Sequence, residues 1–314
     1  MSRLEPEAAQ LTPTDLRAAE TDAARTLTRR RFLTTAGVAA AGLAFYSGEI
    51  ARHELEVVDV PMHLRGLPDT FHGMRVAQIS DIHYDNFTEP FFVRRVVQRV
   101  NELRPDVVLL TGDYVSKGQN MHLQIAPQAY ACAEALRRIE CPVRHAILGN
   151  HDVAVGPQMV MGALYENGIP TLVDQYVPLE RDGRRIWIVG LHDVSRGTPD
   201  LDAAMPPAQA GEPIIAMVHE PDYTDTLLAH PQGRRADLVL AGHSHGGQIC
   251  LPVLGPMFSP PLAKKYRSGM YRFDAGDGRQ AQLYVNRGIG TIGLPLRMNC
   301  PPEITVFTLS AEPV

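Results

Sequence analysis

A chain of 314 residues has room for one large domain or two small ones with a sizeable core. Its 45% hydrophobic and 21% charged residues are those of a globular protein and exclude fibrous and wholly disordered classes. The net charge of -5, with no basic stripe interleaved with aromatics, makes no electrostatic case for a nucleic-acid partner.

Residues 1–27 are polar and rich in Ala, Asp and Glu, the composition of a disordered tail. Thr28-Arg29-Arg30-Arg31-Phe32-Leu33 then leads into an uncharged run over residues 33–46. A cationic cluster before a short Ala/Gly-rich apolar stretch is the pattern of an export signal, and the arginine pair resembles a twin-arginine signal. The run has 14 residues, short of the ~20 that span a bilayer. Ala39-Ala40-Ala41 is a small-residue cleavage site placed inside the run, so a cleaved signal and an uncleaved membrane anchor both stay open. The expected division is a tail (1–27), a signal or anchor (28–47) and one folded domain (48–314).

Residues 54–60 alternate as a strand does, and from residue 75 a repeated pattern sets in. The apolar run Val76-Ala77-Gln78-Ile79 ends in "SDIHYD" and precedes a helix predicted over 92–103. Val107-Val108-Leu109-Leu110 ends in "TGDY" before a helix over 126–139. Residues 143–148 end in "GNHD" before a helix over 160–167. Runs at 176–179 and 186–190 flank Arg181-Asp182-Gly183-Arg184 and predict a hairpin. Residues 214–218 end in "HEP", residues 238–241 end in "GHSH", and three late strands are expected near 270–273, 282–285 and 304–309. Strand–loop–helix alternation implies parallel strands covered by helices, and the hairpins add antiparallel ones.

Four cysteines (Cys132, Cys141, Cys250, Cys300) are too scattered for a disulfide scaffold, although a Cys132–Cys141 bridge is conceivable. No CxxC occurs, so the sequence carries no motif for a thiolate zinc site.

The chemistry-bearing residues share one feature: each cluster falls at the carboxyl end of an apolar run, where α/β sheets place ligand sites. Together these ends supply Asp81, His83, Asp113, Asn150, His151, His219, His243 and His245. A lone Asp there is usually a helix cap and a lone His a satisfied core residue. Five such loops at one edge exceed what capping explains, and burying that many polar groups is costly unless something pairs them. A pair of metal ions does so. Oxygen and nitrogen donors without thiolate suit Mn, Fe or Zn. Asp81 and His83, two apart in an extended strand end, are expected to point to one side and clamp one ion. His243 and His245 share that spacing and are expected to serve two neighbouring ions, about 3.5–4 Å apart, of the kind that clamps both ends of an in-line phosphoryl displacement.

The ordered blocks D-x-H, G-D-x, G-N-H-D, H and G-H-x-H resemble the calcineurin-like metallophosphoesterase superfamily over residues 72–310. The resemblance implies a two-sheet sandwich with helices on its outer faces. It implies that Asp81, His83 and His245 hold the first metal, Asp113 bridges both, and Asn150, His219 and His243 hold the second. It gives His151 the role of the non-ligand histidine acting on the transition state or leaving oxygen, with Asp152 orienting its imidazole. The C-terminal "RGIGTIGLPLRMNCPPEITVFTL", with the twin-arginine start, is similar to an exported bacterial phosphodiesterase branch. The second block departs from the family's usual G-D-x-x-[ND], reading Gly112-Asp113-Tyr114-Val115-Ser116.

The expected function is therefore metal-dependent phosphoric-ester hydrolysis, foremost of a phosphodiester. A metal-bridged hydroxide would attack phosphorus in line, and twin-arginine machinery would export the enzyme to the periplasm, cell wall or outer face of the cytoplasmic membrane. The alternatives are a pyrophosphatase on a lipid-linked nucleotide sugar such as UDP-2,3-diacylglucosamine, and a catalytically dead scaffold on the same fold. His192-Asp193 reads as a solvated loop pair with some prospect of lining a pocket. Arg287 and Arg297 are weaker candidates for a substrate phosphate, and His53, His63, His72, His122, His145 and His230 read as surface or packing residues.

Overall fold

A computed structural model of the chain describes residues 13–85, 87–118, 125–209, 211–276 and 278–311. It divides into two units, Met1–Tyr46 and Ser47–Val314. In the first, helix α1 spans Pro13–Phe45. Residues 13–27, expected to be a disordered tail, thus join the helix; their Ala, Leu, Glu and Arg are all good helix formers. Phe32, Leu33, Val38 and Leu43 are exposed on it. Among the described residues no helix is long and apolar enough to cross a membrane.

The second unit is built on two sheets. The first orders its strands β1 (Glu56–Leu64), β13 (Glu303–Ala311), β2 (Arg75–Ile79), β3 (Val107–Leu110) and β4 (Arg144–Ala146). β2, β3 and β4 run parallel, and β13 lies antiparallel to β2. The second orders β11 (Gly269–Gly276), β12 (Arg279–Val285), β8 (Leu238–Ala241), β7 (Ile214–Met217), β6 (Arg184–Gly190) and β5 (Gln175–Arg181). Here β12, β8, β7 and β6 are parallel neighbours. The predicted hairpin is β5–β6, and its turn residues Asp182 and Gly183 both hold positive φ, the signature of the tight turn that suits strand twist.

Period-two alternation places the core. Val76, Leu109, Phe307 and Met62 from the first sheet meet Ile188, Ile215, Leu238 and Leu240 from the second, filling the space between the sheets. The alternate residues Ala77, Ile79, Val108, Leu110 and Val306 face outward onto helices α2 (Pro90–Leu103), α3 (Ile125–Arg137) and α5 (Pro157–Glu166). Val189, Ala216, Val239 and Ala241 face the other way, toward the short helices α6 (Leu201–Ala204) and α7 (Thr224–Ala229). The layers run helix, sheet, sheet, helix, as the sequence pattern implies. One six-residue helix, α4 (Asn150–Val155), is absent from the sequence reading because it is too short to show a helical period. A two-strand ribbon, β9 (Cys250–Leu251) and β10 (Gly255–Pro256), follows the GHSH loop. All four cysteines are free thiols, so Cys132 and Cys141 form no bridge.

Candidate metal centre

The carboxyl ends of β2, β3, β4, β7 and β8 carry the candidate ligands, and main-chain bonds stitch their loops together. Asp81 and His83 donate their N–H groups to Gly112 O and Asp113 O, at 2.9 and 3.0 Å. Gly242 N donates to His219 O at 3.1 Å. The two sheets meet where His243 N donates to the Asp81 carboxylate at 3.0 Å. Buried Gln78 adds a second tie, from Nε2 to Thr111 Oγ1 and to Ala241 O.

The loop backbones depart from expectation. Asp81, His83, Asp113, His243 and His245 hold positive φ between 47° and 67°, so neither D-x-H nor H-x-H is an extended strand end. The left-handed region is uncommon outside glycine, though Asp and His enter it more readily than most residues. This curl splays the H-x-H pair, whereas Asp81 and His83 still converge on one group, with His83 Nε2 4.0 Å from Asp81 Oδ1. Gly112 allows the crowding this requires: a Cβ there would stand 2.6 Å from Gly149 N and 2.8 Å from His219 Nδ1.

Two groups of buried donors result: Asp81, His83 and His245, and Asp113, His219 and His243. The spacing His243-x-His245 thus sends its two imidazoles to different groups. Asp113 stands between them, its Oδ2 lying 3.5 Å from His83 Nε2 and 3.2 Å from His219 Nε2. His245 Nε2 is 3.5 Å from Asp81 Oδ1.

Three of the four rings, those of His83, His219 and His243, are oriented through their other nitrogen. Ser116 Oγ donates to Asp85 Oδ2 at 2.6 Å and so accepts from His83 Nδ1 at 3.1 Å. His219 Nδ1 donates to Thr111 O at 2.7 Å, and His243 Nε2 to Pro261 O at 2.8 Å. The remaining nitrogens turn inward, as in metal sites whose second partner fixes the tautomer. Ser116, where the sequence leaves the family pattern, thus supplies the support for His83.

The electrostatics match cation binding. Burial holds His83 and His245 well below the ordinary histidine value, so both are neutral. Their Nε2 atoms nevertheless face each other at 3.1 Å. With His83 Nδ1–H given to Ser116, its Nε2 is a bare lone pair aimed at a second imidazole. Burial works against His219 too, but the Asp113 charge and hydrogen bond prevail and hold it well above its ordinary value. Burial would raise Asp113, yet His219 holds it well below the carboxylate range. Asn150 Oδ1 is buried with no hydrogen-bond partner among the described residues. An orphaned amide oxygen, facing imidazole lone pairs and buried carboxylates fit cations that take oxygen and nitrogen donors.

His151 belongs to neither group. Its backbone N donates to Asp113 Oδ1 at 2.8 Å, its Nδ1 accepts from Lys117 N at 2.8 Å, and its ring sits edge-on to His83 at 4.9 Å. Asp152 does not do what the resemblance implies. Its carboxylate accepts from the main-chain N of Asp113, Tyr114, Val115 and Gly149, so it ties the GDY loop to the GNHD loop and does not orient the imidazole. Burial, reinforced by the Asp113 charge, pushes it up to about 8.

Other assignments also change. Arg297 is fully buried and donates to the carbonyls of Arg287, Gly288, Gly290 and Cys300, while Arg287 pairs with Glu303 and Glu56. Both are therefore committed to structure. Asp193 is buried, not solvated, and shares a hydrogen bond with Glu220, the neighbour of His219 in sequence. Glu220 escaped the sequence reading because nothing in "HEP" distinguishes a buried acid from an exposed one. His122 lies outside the described residues.

The sandwich, the strand-end loops and the paired Asp/His groups define the class, and the comparisons agree with them. The model of the calcineurin-like phosphoesterase family matches residues 74–247. The chain is 32% identical to the uncharacterized metallophosphoesterase YkuE of Bacillus subtilis, over 91% of this chain and 98% of that one. It is 30% identical to the phosphodiesterase YaeI of Escherichia coli, over 90% and 99%. It is 27% identical to the UDP-2,3-diacylglucosamine pyrophosphatase LpxG of Chlamydia trachomatis, over 79% and 88%. Among solved structures, the NAD nucleotidase of Haemophilus influenzae shares the fold with a TM-score of 0.50 at 18% identity, over 69% of this chain and 45% of that one. The chain belongs to the calcineurin-like phosphoesterase family and is a metal-dependent phosphoesterase.

Proposed function

We propose that the enzyme hydrolyses phosphodiesters, with Asp113 serving both metal-binding groups and His151 acting on the departing oxygen. The observation that carries this reading is the Asp113 carboxylate, standing within 3.5 Å of one imidazole from each group. Asp81, His83 and His245 would hold one ion and Asn150, His219 and His243 the other, with Mn, Fe or Zn as candidates. When bound, such a pair supplies Lewis acidity and a water acidified toward neutral pH. The protein's own contribution is geometric. Thr111 O, Pro261 O and Ser116 Oγ hold the imidazoles to a single tautomer and direction. Since Lys117 N–H occupies His151 Nδ1, the ring presents its Nε2–H, which can donate a hydrogen bond to the departing oxygen as negative charge develops there.

The similarity to YaeI favours the diester, and the similarity to LpxG supports a second reading, hydrolysis of a lipid-linked pyrophosphate. Assays of the full chain on bis-p-nitrophenyl phosphate, p-nitrophenyl phosphate and a nucleoside-diphosphate diester separate them. Turnover should vanish with chelator and return with Mn, Fe or Zn. A preference for the monoester would overturn both readings. We further propose twin-arginine export, with residues 28–47 as signal or anchor. Lysine at Arg29, Arg30 and Arg31 together should trap the protein in the cytoplasm, because Lys lacks the planar guanidinium fork; normal delivery of that variant would refute the route.

A further inference from the structure

The edge that carries the donor groups is bordered by apolar side chains that nothing in the described structure covers. The β9–β10 ribbon starts five residues after His245 and turns at Pro252-Val253-Leu254, where Val253 is fully exposed and Leu254 is 76% exposed. Met257 and Phe258 follow it, also exposed. This segment is not a loose appendage. Met257 N donates to Ile249 O, Cys250 N donates to Met298 O, and Pro261 just beyond supplies the carbonyl that orients His243. Soluble monomers rarely expose apolar residues in such a cluster without a use for them.

Two further segments extend the border. Gln248 donates to Ile292 O and Leu294 O, which fixes the exposed Leu294 beside the base of the ribbon. Arg297 N donates to Ser47 O at 3.0 Å, so the first residues of the catalytic unit lie against this same loop. Arg52 then joins Gly48 O to Phe87 O, bringing together Ile50 and Phe87, both exposed. Phe87 in turn is held by Asp85, the residue that supports His83 through Ser116. The apolar border therefore runs from the ribbon past the start of the catalytic unit to the D-x-H loop.

The charge of its ribbon side is one-sided, while on the other side the exposed Glu49 lies next to Ile50 and 4.0 Å from Arg52. Residues 238–273 contain no Asp or Glu, but contain Lys264, Lys265, Arg267 and Arg272. Lys265 is engaged with Asp225; Lys264 and Arg267 are exposed beside it. The acid Glu89, near Phe87, is paired with Arg52 at 2.6 Å and hydrogen-bonded to His53. Apolar tips flanked by basic residues fit a surface with an oily interior and anionic headgroups.

We propose that this edge docks on an anionic lipid bilayer, with Val253, Leu254 and Phe258 entering the headgroup layer. The place where the catalytic unit begins supports this occupant over others: a signal or anchor over residues 28–47 would deliver the chain to the membrane at the loop that borders the ribbon. It follows, resting on the phosphoesterase function proposed above, that the substrate phosphate is carried at headgroup level.

Hydrogen exchange of the full chain, with and without vesicles of phosphatidylglycerol and phosphatidylcholine, tests the docking independently of turnover. Added vesicles should slow exchange in 250–258 and 292–296, while the β5–β6 turn at 181–184 is unaffected. Leu254→Glu with Phe258→Glu should lower vesicle partitioning at least tenfold, keep full metal content and leave turnover of soluble bis-p-nitrophenyl phosphate unchanged. Val253→Ser, at a fully exposed tip, gives a milder loss should the double variant disturb the ribbon. Protection confined to residues 28–46 would overturn the proposal, as would protection of 250–258 that appears without lipid as protein concentration rises, which would mark a second copy as the occupant. Failure of the soluble diester assay with vesicle protection intact would refute only the phosphodiesterase reading.

Discussion

In the first donor group His83 is aimed by a side chain, the Ser116 hydroxyl, which is itself held by Asp85. In the second, His219 and His243 are aimed by the main-chain carbonyls of Thr111 and Pro261. The groups use the same donor types, yet a point mutation can reach the support of one and not that of the other. A carbonyl is present whatever the residue, so orientation in the second group is a property of how the loops fold. Orientation in the first depends on which residue occupies position 116. The second group is accordingly the more robust to sequence change, and the first is where metal affinity can drift.

Asp113→Asn offers the broadest test, since this carboxylate approaches both groups. Both ions should be lost together, with turnover falling by about 10⁴-fold or more, because metal ions supply several kcal/mol of transition-state stabilisation. Metal analysis that found one ion at full occupancy would show the groups to be independent. His151→Ala should spare both groups and lower turnover by about 10²–10⁴-fold, the range of general acid–base groups. Loss of metal in that variant would place His151 among the ligands.

Ser116→Ala separates the groups. It should weaken one ion about 10- to 100-fold, as removal of an orienting partner does, while the other is retained. Titration with Mn followed by metal analysis checks this, and equal weakening of both ions would erase the contrast. Ser116→Asn, which restores the common family residue type, should recover the affinity if the position acts by supporting the imidazole.

The ligands themselves were legible because they end apolar runs. β8 falls at 238–241 as expected, since the run Leu238-Val239-Leu240-Ala241 is cut by Gly242 at once. The hairpin was legible for a similar reason, in that Asp182-Gly183 admits positive φ at both positions. What the pattern could not carry was the backbone conformation at Asp81, His83, His243 and His245. Propensity favours an extended chain after a strand, and the left-handed curl is imposed by contacts between loops from two sheets. Asp152 and Arg297 illustrate the same limit: their charges suggest chemistry, but their partners are main-chain groups that residue type does not reveal.

The smallest effect tests the environment of the second group alone. Glu220 follows His219, is buried, and bonds to Asp193; burial, then that bond, pushes it up to about 8 from an ordinary value of 4.5. Between those values the folded chain holds a proton that the unfolded chain has released. Stability from this pair is thus complete below about pH 4.5 and declines as pH rises through about 8. Glu220→Gln keeps a neutral hydrogen-bonding group at every pH, so its melting temperature should fall less steeply over this window. A difference of roughly 2–4 °C at the alkaline end corresponds to about 1 kcal/mol in a domain of moderate size. Cations beside His219 favour the ionised acid, so metal loading should narrow the gap between wild type and variant. Identical pH slopes for the two proteins, with and without metal, would mean that Glu220 holds no extra proton, and that nothing on this side of the centre responds to pH through it.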